Sequence, residues 1–245
     1  MSVISPMPKH TSARRAAGWA VHLYTALGSV VGVFALLATA RGNAQEAFLW
    51  LAAGLAIDAS DGALARFVRV KEVVPEYNGA ELDDIVDYLN FVVVPVFLML
   101  QLGLLSGPFG YIAGFGALLA SAYRFCHADA KTADHFFTGF PSYWNIIAFY
   151  FYVFEISSGW GALITATLAG LVFAPLRFVY PTRTTFLRPL TIALGLVWSA
   201  LGLMTLAALP ERATGLAAAS LFYPAYYTLL SFYIQFRRDP QNGLE

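Results

Sequence analysis

The stretch at residues 58–66 reads DASDGALAR, and residues 79–87 read GAELDDIVD. Together they carry four carboxylates spaced three or four positions apart within each stretch: Asp58, Asp61, Asp83 and Asp87. On a helix, side chains with this spacing share one face. Two such helices that face each other can therefore present four carboxylates to one small volume.

The rest of the chain has the composition of a membrane protein. Of its 245 residues, 58% are hydrophobic and 12% are charged, and the mean hydropathy is +0.62. Ionisable groups at membrane depth are costly, so the acidic stretches are candidate functional positions. The formal net charge is zero, which does not favour nucleic acid as a partner. We expect a single integral membrane domain over residues 1–245.

Apolar windows that are long enough to cross a bilayer recur along the chain, and they predict an all-α, polytopic membrane bundle of about eight transmembrane helices. The predicted spans cover residues 18–40, 45–66, 82–104, 108–126, 141–158, 160–180, 188–209 and 214–236. The second and third spans are polar only at the ends that meet across the intervening loop. We therefore expect the acidic stretches to lie at one surface of the membrane.

The distribution of basic residues orients these spans. With the N-terminus inside, all but two of the 15 Lys and Arg residues fall on inside segments, the exceptions being Arg41 and Arg212. Such a bias follows the positive-inside rule, and removing one span would scramble it. We predict that both termini and the acidic cluster are cytoplasmic.

The acidic cluster suits hard divalent cations. Several anionic groups in a partly dry pocket repel one another unless cations compensate them. Oxygen ligands favour magnesium, manganese or calcium over zinc, for which His or Cys would be expected nearby. Gly62 and Ala65 leave room for a ligand to approach the backbone, and Arg66 can contact a phosphate. A lone helix-end Asp is more often a cap, and Asp84, about 100° around the helix from Asp83, is interpreted as a solvated neighbour.

The two stretches together resemble the signature of the CDP-alcohol phosphotransferase family, which here reads Asp58-x2-Asp61-Gly62-x2-Ala65-Arg66…Gly79-x3-Asp83-x3-Asp87. The resemblance implies a six-helix membrane core that holds two ions, Mn²⁺ or Mg²⁺, and binds a CDP moiety. The implied metal ligands are Asp58, Asp61, Asp83 and Asp87. The implied CDP-binding residues are Asp58, Gly62, Ala65, Arg66, Gly79 and Asp83. The resemblance also makes Asp87 the proposed general base. The gap at residues 67–78 is longer than the family's usual spacing, which leaves the roles of Arg69 and Lys71 open.

The longer gap, the two additional helices and the segment FPSYWN at residues 140–145 are similar to the bacterial phosphatidylcholine synthases within that family. This similarity implies transfer of a phosphatidyl group from CDP-diacylglycerol to choline, with phosphatidylcholine and CMP as products. It also implies a place in the bacterial inner membrane among membrane lipids. A homodimer is compatible with the family resemblance.

Choline carries a quaternary ammonium, which has no N–H to donate and is best held by aromatic faces and carboxylates. The candidate choline-binding residues on the predicted cytoplasmic side are Glu81, Tyr143, Trp144 and Asn145. Membrane-interface anchoring is the alternative for Tyr143 and Trp144. Arg124 and Arg183 are candidates for the lipid phosphates, or serve only as positive-inside anchors.

Two other functions stay open from the sequence. One is phosphatidyl transfer to serine, inositol or glycerol phosphate, although the basic residues are spread over several loops, which favours an unphosphorylated acceptor. The other is a divalent-cation transporter, which would favour ligands near mid-membrane and a polar route on both sides. The acidic residues lie at one end of the predicted spans, which argues against transport.

Overall fold

Helices make up nearly all of the regular structure in the computed structural model, which describes residues 11–127, 136–180 and 184–238. Within these ranges the helices are α1 (Ser12–Ala40), α2 (Ala44–Val68), α3 (Val70–Val73), α4 (Gly79–Tyr88), α5 (Val94–Gln101), α6 (Gly107–Cys126), α7 (Trp144–Val153), α8 (Ser158–Leu171), α9 (Arg188–Ala207), α10 (Thr214–Ser220) and α11 (Phe222–Arg238). A π-helical turn at Leu89–Val93 joins α4 to α5. The expectation of an almost entirely helical chain is confirmed.

By length and composition, three helices of the described ranges can cross a membrane: α1, α2 and α9. The predicted span at 82–104 corresponds to α4, the π turn and α5 in succession, and the span at 214–236 corresponds to α10 and α11. The span at 141–158 contains the shorter helix α7. The membrane class is thus supported, while the number eight stays a prediction.

A two-stranded antiparallel sheet lies outside the all-α expectation. Its strands are β1 (Phe136–Thr138) and β2 (Arg177–Val179). The prediction of helix to residue 180 is wrong, because α8 ends at Leu171 and the chain then extends. Pro175 supplies a local reason, since proline removes an N–H and disfavours helix at the residue before it.

The free edge of β2 is satisfied by side chains of α11. Tyr227 donates its hydroxyl to the Val179 carbonyl at 3.0 Å, and Ser231 Oγ accepts from the Val179 N–H at 3.1 Å. Gln235 Oε1 accepts from the Arg177 N–H at 3.0 Å. These three α11 residues recur every four positions, so they form one helical stripe that holds the strand.

The chain segment at residues 67–78 returns from α2 to α4 along the side of α1. Arg69 adopts a left-handed conformation (φ 57°) and ends α2. The buried side chains of Val73 and Val74 then pack towards Gly18 of α1, where an added Cβ would lie 2.6 Å from Val74 Cγ2. Asn78 caps α4 by accepting from the Glu81 N–H at 3.3 Å. This path brings the C-terminal half of α2 and the first turns of α4 together beside α1.

The core lies among α1, α2, α5, α6, α7 and α8, with buried hydrogen bonds at the helix contacts. Tyr150 of α7 pairs with Ser220 of α10 at 2.8 Å and accepts from Trp198 Nε1 of α9 at 3.0 Å. Because a buried polar group without a partner is costly, these bonds fix the relative positions of the helices.

Candidate active site

Three of the four motif carboxylates converge. Asp58 on α2 and Asp83 and Asp87 on α4 each offer an oxygen, and these oxygens all lie within 4.8 Å of one another. All three side chains are half-buried. Their helical spacing places Asp83 and Asp87 on one face, as the sequence predicts. The packing of both α2 and α4 on α1 brings Asp58 to them. We refer to Asp58, Asp83 and Asp87 as the carboxylate triad.

Asp61, the fourth motif carboxylate, has a different environment. It is 5% exposed and accepts a hydrogen bond from Thr25 Oγ1 of α1 at 2.8 Å. It lies one helical turn beyond Asp58, and it faces a cavity beside the triad. The structure thus places Asp61 in the same region as the triad but in contact with α1.

This cavity has a volume of about 840 Å³. Its wall contains most of the implied CDP-binding residues, namely Gly62, Ala65, Arg66, Gly79 and Asp83. The sixth, Asp58, belongs to the triad, and Asp83 belongs to both groups. A pocket of this size is suited to a ligand as large as a nucleotide.

The two motif glycines leave space for different neighbours. A Cβ on Gly62 would meet only the Arg66 guanidinium, at 3.3 Å, so the surface beside Gly62 is open to a ligand. A Cβ on Gly79 would lie 2.5 Å from His22 Cε1, so Gly79 makes room for the His22 ring. His22 is 6% exposed and its ring packs on Tyr77 with centroids 4.5 Å apart.

The segment at 67–78 forms one side of the cavity. Arg69 and Lys71 are in the cavity wall together with Arg66, so three basic side chains border the space beside the motif. Arg15 of α1 forms an ion pair with Glu76 and donates to the Val73 carbonyl at 3.4 Å, which ties the segment to α1. The pKa of the exposed Glu76 is lowered by a hydrogen bond from its own backbone and then by Arg15.

Two of the candidate choline-binding residues, Tyr143 and Trp144, differ in their surroundings. Tyr143 is half-buried, and its ring packs on that of Phe91, four residues after Asp87, with centroids 6.2 Å apart. Trp144 is 0% exposed and donates its indole N–H to Ser121 Oγ at 2.9 Å, a placement that favours packing.

The remaining acceptor and lipid candidates have different local contacts, and one of them lies beyond the described ranges. Asn145 is buried, and its side-chain oxygen accepts from the Ile146 N–H at 2.9 Å. Glu81 is exposed and accepts from Asn78 Nδ2 at 3.2 Å. Arg124 is half-buried in the last turn of α6. Arg183 lies outside the described residues.

Sequence reasoning missed several residues of the cavity wall, among them the polar residues His22, Thr25 and Tyr180. Polar residues inside an apolar helix are a functional signal, and His22 and Thr25 are three positions apart on one face of α1. The spacing of His22 and Thr25 was therefore enough to identify them as candidate site residues. Tyr180 follows β2, whose position depends on contacts that are distant in sequence.

The donor set of the triad fits a divalent metal. Three carboxylate oxygens so close together repel one another when ionised, and a cation offsets that repulsion. Hard oxygen donors are the ligands that magnesium and manganese prefer. The triad can therefore bind a metal ion, and Asp61 offers a further carboxylate one helical turn away.

Comparison with known proteins places this site in a family. A family model described as CDP-alcohol phosphatidyltransferase matches residues 23–174, which include both acidic stretches. Three similar proteins are each named phosphatidylcholine synthase. The Legionella pneumophila protein is 40% identical over 92% of this chain and 91% of its own length. The Rhizobium meliloti protein is 35% identical over 77% and 78%, and the Borreliella burgdorferi protein is 33% identical over 89% and 94%. The chain therefore belongs to the CDP-alcohol phosphatidyltransferase family.

Proposed function

We infer that this chain transfers a phosphatidyl group from CDP-diacylglycerol to choline, with phosphatidylcholine and CMP as products. The observation that carries this inference is the carboxylate triad beside a cavity lined by the remaining motif residues. The similarity to proteins named phosphatidylcholine synthase, at 33–40% identity, supports choline as the acceptor.

In this proposal the cavity binds the CDP part of the donor. The open surface at Gly62 and Ala65 lets the nucleotide approach the α2 backbone, and Gly79 keeps the opposite wall close to His22. Arg66 reaches the diphosphate, with Arg69 and Lys71 adding positive charge from the neighbouring segment. The acyl chains extend into the bilayer between helices.

The chemical step is a displacement at phosphorus. The acceptor hydroxyl oxygen forms a bond to the phosphorus that carries the diacylglycerol, and the bond from that phosphorus to the bridging diphosphate oxygen breaks. CMP leaves with that oxygen, and the hydroxyl proton passes to a carboxylate oxygen of Asp87. Asp87 is suited to this role because it lies in the triad, where the reacting phosphorus would be held.

The proposed metal ligands are Asp58, Asp61, Asp83 and Asp87. Two divalent cations, Mn²⁺ or Mg²⁺, would supply neutralisation of the diphosphate and of the leaving group. Thr25 orients Asp61 by donating to its carboxylate, which leaves the other carboxylate oxygen available.

The proposed setting is the bacterial inner membrane, with eight crossings by one domain and with the site at the cytoplasmic surface. Arg15, Arg66, Arg69 and Lys71 all lie near the triad end of α1 and α2, which supports that orientation under the positive-inside rule. Donor lipid then reaches the site from the bilayer, while choline and CMP exchange with the cytoplasm. A homodimer stays a prediction from the family resemblance.

An acceptor panel tests the function. Purified protein with CDP-diacylglycerol and Mn²⁺ is given choline, serine, inositol or glycerol 3-phosphate in separate reactions, and CMP and lipid products are measured. We expect CMP release with choline and formation of phosphatidylcholine. Turnover with another acceptor and not with choline would support phosphatidyl transfer but exclude choline as the acceptor. Metal flux into liposomes without any lipid product would instead favour a transporter.

A further inference from the structure

Tyrosine side chains from three parts of the chain meet beside the triad. Tyr143 precedes α7, Tyr180 follows β2, and Tyr223 and Tyr227 belong to α11. Tyr223 lies one helical turn before Tyr227 on α11, and Tyr180 directly follows Val179, whose carbonyl accepts from Tyr227. The Tyr143 ring packs on that of Phe91, four residues after Asp87, with centroids 6.2 Å apart. The Tyr143 ring also packs edge to face on that of Tyr227. We refer to these four tyrosines as the tyrosine cluster.

Packing fixes the rings of this cluster. The Tyr143 and Tyr227 rings meet edge to face with centroids 6.5 Å apart, and Phe178 stacks on Tyr227 with centroids 6.0 Å apart. Tyr227 is buried and donates to the Val179 carbonyl, so it is held by the strand that leads to Tyr180. The cluster is therefore built on the contact between β2 and α11, and its geometry does not depend on a single loop.

The cluster has accessible aromatic surface next to the donor cavity. Tyr143, Tyr180 and Tyr223 are half-buried, and Tyr180 is part of the cavity wall that also contains Asp61 and Asp83. Tyr223 stacks on Trp198 of α9 with centroids 5.6 Å apart, and this contact fixes the position of the Tyr223 ring. A ligand in the cavity thus contacts the cluster at Tyr180.

This arrangement matches the chemistry of the acceptor. A quaternary ammonium cannot donate an N–H bond, so it depends on the negative faces of aromatic rings and on nearby carboxylates. In choline only two carbons separate the ammonium from the hydroxyl. The ammonium site must therefore lie close to the group that accepts the hydroxyl proton. Tyr143 meets this condition because its ring contacts Phe91, four residues after Asp87.

Resting on the proposed function, we propose that the tyrosine cluster of Tyr143, Tyr180, Tyr223 and Tyr227 binds the quaternary ammonium of the acceptor and selects a cationic headgroup. Trp144 then supports the cluster by fixing the start of α7 through Ser121, and does not touch the acceptor.

The test compares choline with 3,3-dimethylbutan-1-ol, in which a neutral carbon replaces the ammonium nitrogen. The measured quantity is the ratio of kcat/KM for the two alcohols, because loss of fold or of donor binding changes both values together. We expect Tyr223→Leu and Tyr180→Leu each to lower the ratio by about tenfold, since each removes one aromatic face. We expect Tyr223→Phe to recover most of the ratio, since the face returns without the hydroxyl.

Tyr111→Leu is the matched control, because Tyr111 is an exposed tyrosine of α6 that packs on Phe115. We expect its ratio to equal that of the unsubstituted protein. Ratios within about twofold of that value in both leucine variants would overturn the proposal.

Inhibition of the unsubstituted protein tests the same site without any variant. We expect tetramethylammonium to compete with choline and not with CDP-diacylglycerol. Absence of inhibition at concentrations where choline saturates would also overturn the ammonium site. If the unsubstituted protein forms no phosphatidylcholine from choline, the proposed function itself fails, a result distinct from unchanged ratios in an active enzyme.

Discussion

Asp61 differs from the other motif carboxylates in what touches it. Thr25 donates to it from α1, whereas the carboxylate oxygens of Asp58, Asp83 and Asp87 lie close to one another between α2 and α4. The sequence predicts the shared helical faces, because those depend only on spacing. It does not predict the Thr25 contact, since that depends on how α1 packs on α2.

Asp87→Asn tests the role of Asp87 as the general base. The amide keeps the size of the side chain but cannot accept the acceptor's proton, and it weakens the triad as a metal site. We expect turnover to fall by at least about a hundredfold. The measurement is CMP release with saturating CDP-diacylglycerol and choline, together with a thermal unfolding scan to show that the fold is retained.

Asp84→Asn is the matched control, because Asp84 is adjacent on α4 but outside the triad. We expect turnover within about twofold of that of the unsubstituted protein. Near-normal turnover by Asp87→Asn would exclude its role as an essential base.

At the scale of elements, the segment at 67–78 joins the donor site to α1. The segment is longer than is usual in the family, and the structure gives its residues a defined position. The short helix α3 ends at Val73, and Val73 and Val74 are buried. Glu76 then forms an ion pair with Arg15. The exposed ion pair alone contributes little stability. The apolar contact at Gly18 therefore holds the segment.

Gly18→Val tests that contact. A Cβ at residue 18 would lie 2.6 Å from Val74 Cγ2, so the segment must move away from α1. Overpacking of this kind costs about 1–3 kcal/mol of folding free energy. We expect a lower midpoint of thermal unfolding and a higher KM for CDP-diacylglycerol, because Arg69 and Lys71 shift with the segment.

The second substitution Val74→Ala removes the methyl groups that meet the new side chain. We expect the double variant to be less impaired than the sum of the two single variants, the coupling expected of residues in contact. Gly170→Val on α8 is the control, because an added Cβ there meets no atom of the described residues within 4 Å. Strict additivity of the two changes would contradict the packing argument.

The sequence predicted helices better than it predicted their ends. Long apolar runs give α1, α2, α6 and α9 because hydropathy and length are local properties. The strands at 136–138 and 177–179 pair across a long sequence separation, and α11 side chains complete the edge of β2. No local pattern reports that pairing, and so Tyr180 was missed as a site residue.

At the scale of the whole molecule, the two ends of the bundle differ in how their basic residues are used. Arg41 pairs with Glu46 at 2.8 Å, and Arg212 pairs with Glu155 and lies over the Tyr152 ring. At the other end, Arg66, Arg69 and Lys71 border the donor cavity. The two arginines predicted to be outside are thus each matched by an acid. At the triad end Arg15 and Arg69 also have acidic partners, Glu76 and Glu72, but Arg66, Arg69 and Lys71 in addition border a space for an anion.

The native chain offers its own probe of that asymmetry, because Cys126 is its single cysteine and is exposed at the end of α6. The predicted spans place Cys126 at the cytoplasmic face and Arg212 at the opposite face. A membrane-impermeant maleimide should therefore label Cys126 in inverted vesicles and not in intact spheroplasts. In a Cys126→Ala background, Arg212→Cys should show the reverse pattern.

Labelling of both positions from the same face would require an even number of crossings between them and would contradict the eight-span topology. Labelling of Cys126 from outside only would place the triad on the outer face, away from cytoplasmic choline.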